Sequence, residues 1–134
     1  MYQSETFVRV RYGETDQMGY VYYGNYAMYY EVGRVEALRQ LGLSYKELED
    51  DGVMMPVLEN HSKFHQPALY DDHLKIVTTI AEKPSVRIKF VYAIYNASNK
   101  LLHEGETLLA FVDKKTGRPC RPPQRFMDVL KPYF

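Results

Sequence analysis

Residues 24–42, GNYAMYYEVGRVEALRQLG, carry the helical periodicity on which the fold depends. One broad face collects aromatic and small residues at helical spacing: Tyr26, Tyr29, Tyr30, Gly33, Ala37 and Leu41. A second apolar set, Met28, Val32 and Val35, lies roughly opposite the first. Asn25 is an acceptable N-cap and Gly42 an acceptable terminator. Because a helix that is apolar on two sides is usually covered on two sides, the stretch predicts a central helix.

The segments around this helix show the two-residue period of β-strands. Before it, Thr6–Tyr12 places Val8, Val10 and Tyr12 on one side. After it, three sets alternate in the same way: Leu74, Ile76, Thr78 and Ile80; Val86, Ile88, Phe90, Tyr92 and Ile94; Leu108, Ala110 and Val112. Residues 44–47 read as the capped start of a short helix, residues 53–66 lack a helical period, and a short amphipathic piece lies near residues 126–130.

This order of elements predicts an α+β fold in which about five mostly antiparallel strands are covered by one long helix. The sequence shows no repeat, low-complexity tract or change of composition, so we expect one domain over residues 1–134. A single helix covers one face of a sheet and leaves the other face or an edge open. We therefore expect an oligomer.

Composition restricts the classes of function. The chain has 134 residues, with 17 basic and 17 acidic side chains and one cysteine, Cys120. The balanced charge argues against electrostatic capture of nucleic acid, and a lone cysteine gives no sign of an oxidising compartment. Residues 1–6 lack a basic region followed by an apolar stretch, and no window approaches the about 20 apolar residues of a membrane helix. We expect a cytoplasmic location without a membrane span.

A candidate catalytic segment lies just before the long helix, in residues 12–26, YGETDQMGYVYYGNY. Its Asp16 comes some eight to ten residues before the start of a buried helix. A helix N-terminus offers unpaired N–H groups that can polarise a carbonyl and hold an oxyanion, and a nearby carboxylate can act as a general base or a nucleophile. On local sequence alone, an acid before a helix is more often a cap or a surface residue.

The same segment resembles the motif of the hotdog-fold acyl-CoA thioesterases. Within that family it is most similar to the branch of 4-hydroxybenzoyl-CoA thioesterase and of the short-chain thioesterases associated with the bacterial Tol–Pal system. The matched residues are Tyr12, Thr15, Asp16, Gly19, residues 21–23, Asn25, Tyr26, Tyr30 and Glu31. Supporting matches are residues 52–53, 67–68, 70–72, Leu74 and residues 117–119, so the resemblance covers nearly the whole chain.

The resemblance implies a five-stranded antiparallel sheet wrapped around the long helix. It implies a homodimer or homotetramer with active sites between protomers, and no cofactor. Asp16 falls on the position of the family's catalytic carboxylate, and Tyr23 on the position whose backbone N–H points at the thioester carbonyl. If Asn25 is the N-cap, Tyr23 precedes the helix, so this role requires the helix to begin earlier. Gly24 excludes a side-chain contribution at that position.

The candidate substrate-binding residues are basic or aromatic. The family places phosphate contacts near the start of a strand, where this chain has Lys83, Arg87 and Lys89. Arg87 and Lys89 share one side of the strand, which is also typical of a solvated face; Arg118 and Arg121 are further candidates. Three tyrosines beside the loop are expected to line the acyl pocket: Tyr20, Tyr22 and Tyr23.

Other chemistries find less support. His61 and His65 lie four residues apart along a strand, about 13 Å, too far to share one ion. No His occurs in the motif loop or the long helix, where a hotdog dehydratase would need one. Cys120 lies among prolines, far in sequence from any His, and is expected to be inert. The sequence contains no phosphate-binding loop, nucleophile elbow or dinucleotide fingerprint.

Two functions from different classes remain at this stage. The first is a thioester hydrolase that releases a carboxylic acid and free coenzyme A from an acyl-CoA, with Asp16 as base or as nucleophile. The second is a non-catalytic module that binds acyl-CoA or acyl-carrier protein, because fold alone does not fix function. An acid at position 16 favours catalysis, since binding alone has no need of a carboxylate beside the thioester.

Overall fold

A computed structural model describes residues 1–134 and shows a five-stranded sheet with one long helix. The strands are β1 (Tyr2–Arg9), β2 (Val53–Met54), β3 (Val57–Phe64), β4 (His73–Ile80), β5 (Arg87–Tyr95), β6 (Leu101–Ala110) and β7 (Val112–Asp113). The helices are α1 (Tyr26–Gln40), α2 (Tyr45–Asp50) and α3 (Gln124–Leu130), with single 3₁₀ turns at Tyr12–Glu14, Tyr23–Asn25 and Lys131–Tyr133. The predicted α+β class is confirmed. No helix has both the length and the apolar character needed to cross a bilayer.

The main sheet is antiparallel throughout, with the strand order β1-β4-β5-β6-β3, and β2 pairs with β7 in a small separate ribbon. Helix α1 packs on one face of the sheet, against β1, β4 and β5. The alternating residues of β4 and β5 point into this interface and are buried, as predicted, except for Val86, which precedes β5 and is exposed. Strand β3 pairs only with β6, so its other edge is unpaired.

Helix α1 buries the predicted aromatic face, but its second apolar set is not covered by this chain. Tyr26, Tyr29 and Tyr30 are nearly inaccessible, whereas Met28 and Val32 are exposed. Together with Val35 they line an open groove of about 550 Å³. The prediction of cover on two sides is therefore wrong for the single chain, because the sheet curves around one side of the helix only.

Two strand predictions need correction. Strand β1 begins at Tyr2 and ends at Arg9, and Tyr12 is exposed in a 3₁₀ turn. The chain bends at this turn because the carboxylate of Glu14 accepts a hydrogen bond from the Arg11 N–H. In β6 the residues opposite the core-facing side chains of β5 are His103, Gly105, Thr107 and Leu109, not the set at 108, 110 and 112. Some of the core-facing residues of β6 are polar, so a search for alternating apolar residues does not detect this strand's period.

The helix termini largely follow the sequence. Gly42 ends α1 with φ of 83°, a left-handed conformation that glycine adopts without strain. The Ser44 hydroxyl accepts the N–H of Glu47 at the start of α2. Asn25 occupies the N-cap position of α1, but its side chain donates to the carbonyl of Glu14 and does not cap the helix. The preceding 3₁₀ turn continues directly into α1, so the helical stretch begins at Tyr23.

Candidate active site

Asp16 lies in a tight loop between two 3₁₀ turns. A bridge between Thr15 and Val21 closes the loop, and the Asp16 N–H donates to the carbonyl of Tyr20. Oδ1 of Asp16 accepts the N–H of Met18 at 2.9 Å and that of Tyr20 at 3.3 Å. Oδ2 has no hydrogen-bond partner in the chain. One carboxylate oxygen thus holds the loop in shape, and the other is free to accept a proton or to attack a carbonyl carbon.

The start of the long helical stretch presents two unpaired backbone donors. The N–H groups of Tyr23 and Gly24 have no acceptor, whereas the N–H of Tyr22 donates to Glu14 and that of Asn25 donates to Tyr22. Free N–H groups at a helix N-terminus, together with the helix dipole, stabilise a negative charge placed before them. An early helix start, which the role of Tyr23 requires, is present because Tyr23 opens the 3₁₀ turn that leads into α1.

A cavity of about 290 Å³ joins the carboxylate to this helix start. Its wall is mainly aromatic and apolar, and it comprises Asp16, Met18, Tyr20, Val21, Tyr23, Tyr26, Phe64, His65, Gln66 and Pro67. The carboxylate, the aromatic wall and Tyr23 therefore share one cavity in a single chain. The sequence did not assign residues 64–67 to the cavity. It weighed His65 only as a metal ligand and Pro67 only as a supporting match, and Phe64 ends β3, an exposed edge strand whose residues show no burial period.

A buried aromatic and polar cluster supports the wall of this cavity from behind. The imidazole of His103 stacks on Tyr26, with ring centroids 4.0 Å apart, and meets the edge of Phe64 at 4.7 Å. It also hydrogen-bonds the Tyr30 hydroxyl, which lies 2.7 Å from Oγ of Ser62 on β3. Burial lowers the pKa of His103 to about 4, so the imidazole is neutral at physiological pH. Tyr30 and His103 thereby fix the rings that line the cavity.

The predicted substrate-binding residues do not all reach this cavity. Tyr22 is exposed and packs on the ring of Tyr23 instead, with centroids 4.7 Å apart. Lys83 lines a small pocket beside α3 and the C-terminal 3₁₀ turn. Arg87 and Lys89 share the exposed face of β5, as predicted, at the strand end opposite to Asp16.

The position of Arg87 and Lys89 follows from strand register. Arg87 is level with Ala110 of β6, and Ile88 with Leu109, which in turn faces Val57 at the start of β3. The pKa of Glu59 is lowered by its hydrogen bond with His61 and also by the charges of Arg87 and Lys89, so both cations lie near this end of β3. Phe64, at the other end of β3, borders the cavity. At about 3.3 Å per residue, the two ends of β3 lie about 23 Å apart.

Comparison with known proteins places the chain in a family. Residues 10–130 match the model of the thioesterase-like superfamily, and the chain belongs to this superfamily. The structure closely matches that of a DHNA-CoA thioesterase from Staphylococcus aureus, with a TM-score of 0.91 and 32% identity over 99% of this chain and 89% of that chain. The expected hotdog fold is confirmed.

Curated relatives carry names that agree with this family. YneP of Bacillus subtilis, which bears the name of an acyl-CoA thioesterase, is 33% identical over 128 residues, covering 96% of this chain and 93% of that protein. YbgC of Escherichia coli O157:H7, named an acyl-CoA thioester hydrolase, is 35% identical over 124 residues, covering 92% of each.

Proposed function

We propose that this protein is an acyl-CoA thioesterase that hydrolyses a thioester to a carboxylic acid and free coenzyme A. The observation that carries the proposal is that Asp16, whose Oδ2 is free, and Tyr23, whose N–H is unpaired, line the same cavity. A base and an oxyanion site on one cavity are what the hydrolysis of a thioester requires. Membership of the thioesterase-like superfamily supports the same reaction.

In the reaction, the thioester carbonyl points its oxygen at the N–H groups of Tyr23 and Gly24. Oδ2 of Asp16 takes a proton from a water molecule, and the water oxygen attacks the carbonyl carbon. The negative charge on the resulting tetrahedral oxygen is held by the two N–H donors. The carbon–sulfur bond then breaks, the thiolate of coenzyme A leaves and receives the proton held by Asp16, and the acid is released. Direct attack by Asp16, which gives an anhydride that water then hydrolyses, uses the same atoms.

Substrate phosphates are proposed to be held by basic residues from a second copy of the chain. The unpaired edge of β3 carries exposed apolar side chains at both ends, Val57, Leu58 and Phe64. If two copies pair through this edge in antiparallel fashion, the Val57 end of one β3 lies beside the Phe64 end of the other. This arrangement places Arg87 and Lys89 of the partner subunit near the Phe64 end of the first protomer's β3, which borders the cavity of Asp16. The proposed state is a homodimer, or a homotetramer of two such dimers.

The experiment that tests the proposed activity is a hydrolysis panel. Purified protein is incubated with short, long and aromatic acyl-CoAs and with acyl-carrier-protein thioesters, and free thiol is measured. We expect release of thiol from at least one acyl-CoA. A protein that binds acyl-CoA by calorimetry but releases no thiol from any of these substrates would instead be a binding module.

A further inference from the structure

Glu14 occupies the junction between the two parts of the catalytic site. It is the last residue of the first 3₁₀ turn, two residues before Asp16, and its side chain is buried. We propose that Glu14 is a positioning residue that fixes the distance between the Asp16 carboxylate and the N–H donors of Tyr23 and Gly24. The inference rests on the proposed function and adds to it a residue that does not contact the substrate.

The carboxylate of Glu14 is saturated by donors from two elements. Oε1 accepts the backbone N–H of Arg11 at 3.0 Å and the hydroxyl of Tyr29 at 2.9 Å. Oε2 accepts two N–H groups of the Arg11 guanidinium, at 3.0 Å and 2.9 Å. Tyr29 lies in the first turn of α1 and its side chain is buried. The side chain of Glu14 therefore fastens the loop to the helix that carries the oxyanion donors.

The main chain of Glu14 forms a second attachment on the other side of the residue. Its carbonyl oxygen accepts the N–H of Tyr22 at 2.9 Å and Nδ2 of Asn25 at 2.8 Å. Tyr22 and Asn25 directly flank Tyr23 and Gly24 in the sequence. The side chain of Asn25, which does not cap the helix, thus has a definite partner. Both ends of the donor pair are held to the residue that precedes the loop of Asp16.

Glu14 does not itself meet the reacting atoms. It is absent from the wall of the cavity that contains Asp16 and lies on the groove on the opposite side, with Arg11 and Tyr29. All four of its carboxylate contacts are donors from the protein. It is therefore placed to set geometry and not to transfer a proton. Displacement of a catalytic group by about 1 Å can lower the rate about 100-fold, so such a residue affects kcat.

The test compares three single variants and one double variant by the kinetics of thioester hydrolysis. In Glu14→Gln the amide N–H₂ faces either the guanidinium or the backbone N–H of Arg11, so in both orientations a donor meets a donor and the attachment opens. Tyr29→Phe removes only the hydroxyl that links the carboxylate to α1 and keeps the ring. Glu36→Gln is the matched control, a half-exposed glutamate on α1 that pairs only with Arg39. Rates are divided by the concentration of sites that bind product coenzyme A in calorimetry, which removes any unfolded fraction.

We expect Glu14→Gln to lower the normalised kcat about 10- to 100-fold while KM stays within about threefold, because the geometry and not the binding is disturbed. Tyr29→Phe should lower kcat about three- to tenfold, and the double variant should be no slower than Glu14→Gln alone within about twofold, because both changes open one attachment. Glu36→Gln should match the wild type.

The results separate this inference from the proposed function. An unaltered normalised kcat in Glu14→Gln, in a protein whose wild type hydrolyses acyl-CoA, overturns the positioning role and leaves the activity standing. If Glu14→Gln does not fold, Tyr29→Phe decides: a lowered kcat at constant KM supports the role, and a wild-type kcat overturns it. A wild type that hydrolyses no thioester refutes the proposed function directly.

Discussion

The Glu14 carboxylate makes the stability of the protein sensitive to acid. Burial raises its pKa, but the hydrogen bonds from the Arg11 backbone and side chain and from Tyr29 lower it more, so the pKa lies below the ordinary glutamate value. A group with a lowered pKa in the folded state stabilises the protein above its unfolded pKa, about 4.3 for glutamate, and loses this contribution as the pH falls through the folded pKa. The difference in Tm between wild type and Glu14→Gln should therefore be largest near neutral pH and shrink towards pH 3. Glu36→Gln is the control, and a Tm difference for Glu14→Gln that stays constant over this range would contradict the assignment.

At the scale of elements, the contact between α1 and β6 depends on a glycine. A Cβ at Gly105 would overlap the Tyr30 hydroxyl, which is hydrogen-bonded to Ser62 and His103. Gly105→Ala should therefore displace Tyr30 and lower the free energy of unfolding in urea by about 1–3 kcal/mol, as overpacking does. Gly13→Ala is the matched control, because a Cβ there meets nothing within 4 Å. Equal stabilities of the two variants would show that α1 and β6 tolerate the extra methyl group.

The elements also show which parts of the fold could be predicted from the sequence. Apolar residues at regular spacing predicted the alternation of β4 and β5 and the aromatic face of α1, because these segments are buried by their neighbours within the chain. Strand β3 and the far face of α1 could not be assigned in this way, since one is an exposed edge and the other an open groove. The position of Asp16 followed from its motif. Phe64 and Glu14 were not singled out by the sequence. Phe64 meets Tyr26 and His103, and Glu14 accepts the Tyr29 hydroxyl, only in the folded chain.

At the scale of the whole molecule, the open edge of β3 and the distance between Asp16 and Arg87 predict a shared site in a dimer. Sedimentation should show at least a dimer at micromolar concentration. A hybrid dimer contains one Asp16→Asn protomer and one Arg87→Ala/Lys89→Ala protomer. One of its two sites then combines the intact Asp16 of the second protomer with the intact cations of the first. We therefore expect mixing to restore activity with the wild-type KM. An active monomer, or hybrids in which no wild-type KM reappears, would contradict this arrangement.

The central claim is that Asp16 carries out the chemistry, and the most direct test is the kcat of Asp16→Asn. Asparagine keeps an Oδ1 that can accept the N–H groups of Met18 and Tyr20, so the loop, the Tm and the affinity for coenzyme A should be retained. It cannot take a proton from water or attack a carbonyl. We expect kcat to fall at least about 10²–10⁴-fold, the usual contribution of a general base. A variant that folds, binds coenzyme A and hydrolyses the substrate near the wild-type rate would contradict the account.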